Sequence, residues 1–128
     1  MQLYIFHSQK NVICALYLEQ KFQKYIEIEK IKLGEQFIET LKSIFDFSSI
    51  KEIYFRNSYS AWNASRLIVL FIKCCYYFSK ATIHLKELDE DVEDIDKELE
   101  AFNCLEFKIL KNINDLRPLY KECKNIDI

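Results

Sequence analysis

The fold of this chain is decided by the stretch Ile53-Tyr-Phe-Arg-Asn-Ser-Tyr-Ser-Ala-Trp-Asn-Ala-Ser-Arg-Leu67. It predicts a short buried strand, a tight turn and the start of a long apolar helix. Such a turn often holds a phosphate in α/β proteins, because helix-start N–H groups and the helix dipole favour anions. The turn Arg56–Ser60 has no glycine, which is what lets backbone approach a phosphate closely. We therefore expect the architecture of a nucleotide site without its chemistry, and no cofactor.

The composition is that of one folded domain, residues 1–128. Half of the residues are hydrophobic, and there is one glycine and one proline. This argues against disorder and against glycine-rich loops. The formal net charge of −2 provides no basic field, so direct nucleic-acid binding is not expected.

The cysteines indicate a reducing compartment, and a cytoplasmic location is expected. There are five, with no CxxC spacing: Cys14, Cys74, Cys75, Cys104 and Cys123. They are expected to be small buried residues, with a metal or redox role as the alternative. Met1–Leu18 does not have the pattern of a secretory signal, so none is expected, and the apolar run Leu67–Phe78 is shorter than the roughly 20 residues that span a bilayer.

Periodicity predicts alternating strands and helices. The predicted strands are Leu3–Phe6, Val12–Leu18, Phe22–Ile31, Ile50–Asn57, Ala81–Leu85 and Cys104–Leu110. The predicted helices are Glu35–Phe47, Ala61–Lys80 with Ser60 as its N-cap, Glu87–Phe102 and Asp115–Lys124. Leu41 and Phe71 are predicted to lie in the core between helix and sheet. This order fits the α/β class, as a ribonuclease-H-like half with a mixed sheet and packed helices. Another small α/β sandwich is the alternative.

The end of the first strand offers little for catalysis. Phe6-His7-Ser8-Gln9 contains no carboxylate for Mg²⁺. His7 has no nucleophile or carboxylate near it in sequence, which favours a turn residue over a catalytic base. We expect no catalytic residue and no enzyme activity. The alternative is a small enzyme or ligand-binding domain with a pocket around His7, Ser8 and Asn57.

The acidic stretch allows two interpretations. Asp89, Asp91, Glu93 and Glu100 match the spacing of a calcium-binding EF-hand loop, but Asp94 stands where the sharp turn needs glycine. The competing helical seam has a four-three-four-three spacing and comprises Leu88, Val92, Ile95, Leu99 and Phe102. We therefore expect a helix with a solvated acidic face and no metal site.

The helix Ala61–Lys80 carries the best argument for a partner. At 100° per residue, one face is predicted to pack on the sheet, with Ala64, Leu67, Ile68, Phe71, Cys75 and Phe78. The opposite face is apolar as well, and its candidate interface residues are Trp62, Arg66, Val69, Leu70, Lys73, Tyr76 and Tyr77, with Lys80 beside them. Trp, Tyr and Arg dominate interface hot spots. The face is therefore predicted to bind a partner; the alternative is that the acidic helix covers it within the chain.

The strand-turn-helix resembles that of the TsaB family, the YeaZ-like subunit of the bacterial tRNA threonylcarbamoyladenosine machinery. That family carries Gly-x-Gly-Pro-Gly-Ser-Phe-Thr-Gly-Leu-Arg-Ile here. Laid over it, Arg66 matches the arginine and Leu67 the isoleucine, while Ser60, Ala61, Trp62, Asn63 and Ala64 fall on Gly, Ser, Phe, Thr and Gly. The element order follows the family over residues 1–86, and Pro118-Leu-Tyr-Lys121 resembles its tail.

The resemblance implies a fold and a role. Residues 1–86 would form an actin-like ATPase N-terminal lobe, and residues 87–128 an acidic helix with a shortened C-terminal part. The chain would be a pseudo-enzyme that docks the catalytic TsaD subunit, which modifies the tRNA adenosine beside the anticodon. A TsaE-like ATPase and a homodimer through the same helix are further partners that the resemblance implies.

Overall fold

A computed structural model of the protein describes residues 1–34, 39, 47–58, 64–88, 91–102 and 106–118. Its centre is a six-stranded mixed sheet with the strand order β3-β2-β1-β4-β5-β6. The strands are β1 Gln2–His7, β2 Asn11–Leu18, β3 Lys21–Glu29, β4 Glu52–Ser58, β5 Thr82–Leu88 and β6 Lys108–Ile109. The helices whose bounds are described are α1 Ala64–Ser79 and α2 Ile95–Glu100, with described 3-10 turns at Lys30–Lys32, Phe47–Ser49 and Ile113–Asp115. The predicted α/β class, a mixed sheet with packed helices, is confirmed.

The first three strands form an antiparallel meander. β1 pairs with β2, and β2 pairs with β3. The β2–β3 connection is Glu19 and Gln20, whose φ angles are 50° and 67°. Both residues are left-handed, as in the type I′ turns that match the twist of a hairpin. The backbone N–H of Gln20 donates to Gln2 Oε1 at 2.8 Å, which ties the turn to the first strand.

The next strands extend the sheet in parallel. β4 lies parallel to β1 with Ile5 opposite Phe55, and β5 lies parallel to β4 with Phe55 opposite Leu85. Apolar and polar residues alternate in β4 and β5, whose sequences are EIYFRNS and TIHLKEL, and both strands run in the direction of β1. The carboxyl ends of β1, β4 and β5 consequently meet at one edge of the sheet.

The two faces of the sheet carry separate cores. Leu3 and Ile5 of β1 belong to the larger core, which includes Ile68 and Ile72 of α1. The intervening Tyr4 and Phe6 belong to the other core, whose remaining buried members are Ile13, Ala15, Tyr17, Val92, Leu99 and Phe102. The period-two alternation of a strand thus places α1 and α2 on opposite faces.

Helix α1 ends at Ser79, one residue earlier than predicted. Lys80 follows with φ 55°, and its N–H donates to the Tyr76 carbonyl at 3.1 Å. A left-handed residue after a helix reverses the chain and satisfies a terminal carbonyl, a position usually taken by glycine. Here a lysine takes it, and β5 begins two residues later.

The predicted helix Glu87–Phe102 is confirmed only over Ile95–Glu100, and its first part is wrong. Lys86, Glu87 and Leu88 continue β5 and pair with Arg56, Asn57 and Ser58. Val92 forms a parallel bridge with Ser8, and the helix is confined to Ile95–Glu100. Its start is set by Asp94, whose side chain accepts from the N–H of Lys97. Backbone pairing with β4 and β1 therefore outweighs the local helical pattern.

Several other predicted strands and helices end at different residues in the structure, or lie outside the described residues. The third strand ends at Glu29 rather than Ile31, and the predicted strand Cys104–Leu110 is only Lys108–Ile109. The predicted helix from Asp115 is wrong at its start, since Asp115 ends a 3-10 turn. Ser60, Leu41, most of Glu35–Phe47 and residues 119–128 lie outside the described residues. Within the described ranges, no helix is long and apolar enough to cross a membrane.

Candidate docking site

The inner face of α1 explains how the helix is held. Its buried residues are Ser65, Ile68, Val69, Phe71, Ile72 and Cys75. The Ser65 hydroxyl donates to Asn57 Oδ1 at 2.9 Å, which joins the first turn of the helix to β4. Burying this apolar stripe contributes roughly 1.5–3 kcal/mol per large side chain, so the orientation of α1 is strongly determined.

The outer face of α1 is exposed and aromatic. Leu70 is 53% exposed, Tyr77 65% and Phe78 89%. Arg66 and Cys74 are exposed on the same side, and Lys73 is half-buried. Because residues spaced by four, three and four share one side of a helix, Arg66, Leu70, Lys73 and Tyr77 form a continuous stripe. This stripe, with Phe78 at its border, is called the α1 outer face below.

The predicted interface residues separate into three groups. Arg66, Leu70 and Tyr77 are exposed, and Lys73 and Tyr76 are half-buried. Val69 is 4% exposed and belongs to the core, so its assignment to the outer face is wrong. Trp62 lies outside the described residues.

The predicted inner face also needs correction. Phe78 was assigned to it, but the structure places this ring in solvent, while Ile72, assigned to neither face, is fully buried. The true buried arc is centred on Ile68 and Ile72, rotated from the predicted centre toward Val69. Only Arg66 and Lys73 mark the solvent side of this helix, so its rotation was predicted only approximately, although the pair of isoleucines four residues apart was a usable signal.

A groove lies beside the C-terminal end of α1. It has a volume of about 460 Å³ and is lined by Tyr76, Tyr77, Lys80, Ala81, Thr82, Ile83 and Leu110. Two tyrosines of the helix and the first two residues of β5 therefore line the same groove. An apolar cleft next to exposed aromatic side chains can receive a side chain of a partner.

The acidic helix does not cover this surface. Tyr17 donates its hydroxyl to the Leu99 carbonyl at 2.7 Å, and Arg56 Nη1 lies 2.8 Å from Glu98 Oε2. Both contacts hold α2 on the sheet face opposite α1. The alternative in which the acidic helix packs on the α1 outer face is therefore wrong.

A second group of polar residues lies at the carboxyl ends of β1 and β4. His7, expected in a turn, is the last residue of β1 and is 1% exposed. In the part of the chain that the structure describes, neither of its ring nitrogens has a hydrogen-bond partner. Burial, and then the charge of Lys30, lowers the pKa of His7 to about 3. The imidazole is therefore neutral near pH 7.

The other residues of the pocket predicted around His7 are engaged internally. Asn57 Nδ2 donates to the Arg117 carbonyl at 2.9 Å, and its Oδ1 accepts from Ser65. The Ser8 hydroxyl bonds with the backbone of Asn11 in the β1–β2 turn. The structure brings His7 and Asn57 onto neighbouring strands, but it leaves only His7 with unused polar atoms.

The acidic stretch is dispersed rather than gathered. Asp91 Oδ2 lies 3.5 Å from Lys30 Nζ, and its Oδ1 accepts from the Ser58 hydroxyl at 2.7 Å. Glu93 and Glu100 are exposed, and Asp94 caps α2. Among the described residues, no cluster of three or more His, Cys, Asp or Glu side chains is arranged to hold a metal ion.

Comparison with known proteins yields a likeness of fold. No protein-family model matches the sequence, and no curated protein matches it. Among solved structures, YeaZ from Pseudomonas aeruginosa is similar, with a TM-score of 0.52 and 13% sequence identity. The match covers 70% of this chain and 42% of that one, so the similarity extends over less than half of YeaZ. The chain therefore has a distantly YeaZ-like fold.

Proposed function

We propose that the protein is a non-catalytic interaction subunit that docks a TsaD-like catalytic subunit through the α1 outer face. The observation that carries the proposal is the exposure of Leu70, Tyr77 and Phe78 on one helix. A monomeric protein rarely leaves a large contiguous apolar patch in water, and such patches mark interaction sites. The role in tRNA threonylcarbamoylation, with TsaE-like participation and a cytoplasmic location, belongs to the same proposal.

The fold supports this assignment. The order β3-β2-β1-β4-β5, with only β2 antiparallel among these five strands, is the arrangement expected of a ribonuclease-H-like or actin-like lobe. Helix α1 follows the strand that continues the sheet beyond β1, as in the resemblance to the TsaB family. The identity of the partner is inferred from the resemblance to the TsaB family, and the docking surface is inferred from the exposed residues of α1.

The test compares two leucines of nearly equal exposure. Leu70→Asp places a carboxylate at the middle of the α1 outer face, and Leu18→Asp places one outside α1, at the end of β2, where Leu18 is 49% exposed. Burying an unpaired carboxylate on association costs several kcal/mol, which weakens binding by about a hundredfold or more. Calorimetric titration of the wild type and of each variant with the TsaD-like subunit from the same cell measures the effect.

We expect Leu70→Asp to abolish binding and Leu18→Asp to retain it, with both variants unfolding near the wild-type temperature. Equal binding by Leu70→Asp and the wild type would place the docking surface elsewhere. A wild-type protein that does not bind the TsaD-like subunit at all would overturn the proposed role.

A second candidate function rests on His7. A buried imidazole with both nitrogens unused is a costly arrangement, and a small polar ligand would relieve it. Calorimetry with ATP and Mg²⁺, and separately with adenosine, distinguishes the candidates. The interaction-subunit proposal expects no specific binding, since the turn Arg56–Ser60 lacks glycine. Binding in the low micromolar range that His7→Leu abolishes would favour the ligand-binding domain.

A further inference from the structure

The charges on the α1 outer face are all of one sign. The sequence of α1, ASRLIVLFIKCCYYFS, contains Arg66 and Lys73 and no acidic residue. Lys80, which follows the helix, adds a third cation at the rim of the groove. None of the ion pairs between described residues includes any of these three: those pairs are Lys30–Asp91, Lys32–Glu29, Arg56–Glu98 and His84–Glu52.

These cations are placed to meet a partner. Arg66 and Lys73 are two helical turns apart and alternate with Leu70 and Tyr77 along the stripe. A helix laid along this stripe would bury its apolar side chains against Leu70 and Tyr77. Its flanking side chains would then lie next to Arg66, Lys73 and Lys80, so their charge decides whether the contact is favourable.

A second copy of this chain is a poor occupant of the same surface. A twofold-symmetric dimer brings the same patch of both copies together, so its interface would gather the cations of both helices and no carboxylate from either. Like charges brought together at an interface oppose association and select against that partner. The apolar side chains of two α1 outer faces could pack against each other, but the cations of the two copies would repel.

We infer that the surface docking on α1 is an apolar helix face flanked by Asp or Glu, and that this charge pattern makes the contact heterologous rather than a homodimer. The inference rests on the proposed function for the location of the interface, and it adds the chemistry of the partner. It also assigns Arg66, Lys73 and Lys80 a role in selecting the partner, while Leu70 and Tyr77 supply the apolar contact.

The experiment uses two matched amphipathic helical peptides as probes. They share the same leucine and phenylalanine positions, and one carries Glu and the other Lys at every flanking position. The wild-type protein should bind the Glu peptide at least about fivefold more tightly, since two or three exposed ion pairs each contribute modestly. The preference should shrink as salt is raised, because exposed charges are screened.

A charge-reversed variant makes the test sharper. Arg66→Glu/Lys73→Glu should prefer the Lys peptide, whereas the control Lys21→Glu/Lys108→Glu, at two exposed lysines outside α1, should keep the wild-type preference. Mixing wild type with Arg66→Glu/Lys73→Glu should also produce a heterodimer in sedimentation equilibrium, although neither protein dimerises alone.

Four results would overturn the inference: equal binding of the two peptides, preference of the wild type for the Lys peptide, binding of neither, or a wild-type homodimer that Leu70→Asp dissociates. The TsaD-like subunit is titrated separately. If the peptides show the expected preference and that subunit does not bind, the proposed function fails while the inferred partner chemistry stands.

Discussion

Arg56 of β4 and Glu98 of α2 form an ion pair on the side of the sheet that α2 covers, with Arg56 Nη1 2.8 Å from Glu98 Oε2. Both side chains are largely buried, and Glu98 also accepts the hydroxyl hydrogen bond of Tyr4. Burial, followed by the contact with Glu98, raises the pKa of the Tyr4 hydroxyl. This contact joins a parallel strand to a helix 42 positions later in the sequence, and it holds α2 on the face of the sheet opposite α1.

Removing one partner of this pair should destabilise the fold. Glu98→Ala leaves the Arg56 guanidinium buried without its counter-charge, which is expected to lower the free energy of unfolding by about 3 kcal/mol. Glu100→Ala, two residues away and exposed, should change it by less than about 0.5 kcal/mol. Urea denaturation of the two variants measures the difference. Equal effects would mean that α2 is not held by the pair.

Two phenylalanines of α1 provide a matched test of how the helix faces. Phe71 is 3% exposed and Phe78 is 89% exposed. Phe71→Ala should cost about 3–5 kcal/mol of stability, the range for deleting a core ring, and Phe78→Ala less than about 0.5 kcal/mol. Thermal and urea unfolding report both values. A large loss for Phe78→Ala would show that its ring is covered in solution.

His7 should make stability depend on pH in the acid range. Its pKa is lowered by burial to about 3 in the folded protein, from 6.5 when unfolded. Between these values the unfolded chain binds the additional proton. The contribution of His7 is therefore complete above pH 6.5 and is lost as pH falls toward 3, at about 1.4 kcal/mol per pH unit.

The comparison that isolates this effect is between wild type and His7→Leu. The variant should lose that part of the slope between pH 6 and pH 4 whatever its absolute stability, and urea titrations at a series of pH values measure it. His84 titrates in both proteins and cancels. An NMR signal of the His7 ring that shifts with a midpoint near 6.5 would contradict the buried, neutral imidazole.

The adjacent cysteines should differ sharply in reactivity. Cys74 is exposed, whereas burial and then the neighbouring Cys74 raise the pKa of Cys75 to about 12. Thiolates are the reactive form, so Ellman's reagent should label Cys74 quickly and Cys75 and Cys14 slowly. The assay uses a Cys104→Ser/Cys123→Ser background. There, Cys74→Ser should abolish the fast phase and Cys75→Ser should retain it; a fast phase surviving Cys74→Ser contradicts this.

Several elements were predictable because their signals are local. The runs Leu3–Phe6 and Val12–Leu18 are apolar and bounded by polar turns, and the structure places β1 and β2 over them with one additional residue at most at each end. The pattern at Ile53 likewise locates β4 before α1. On the α1 outer face, the exposure of Arg66, Leu70 and Tyr77 was predictable because aromatic and basic residues recur at helical spacing on one side.

Val69 and Phe78 were misassigned for a definite reason. Helical periodicity states which residues of α1 lie side by side, but with only Arg66 and Lys73 to mark the solvent side it determines the rotation of the helix only approximately. The rotation follows from the surface that the helix meets. In this protein Ile68 and Ile72 are buried in one core with Ile53, Phe55 and Ile83 of the sheet, and the opposite side of α1 faces solvent.

The sequence by itself determined strands β1, β2 and β4, the existence of α1 and the absence of a glycine-rich phosphate loop, because each depends on neighbouring residues. Only the tertiary structure decided that Lys86–Leu88 is strand, that α2 lies on the face of the sheet opposite α1, and that Phe78 rather than Val69 is exposed. Each of these outcomes depends on contacts with residues distant in sequence, whose pairing and burial energies exceed the local preferences of the segments that they override.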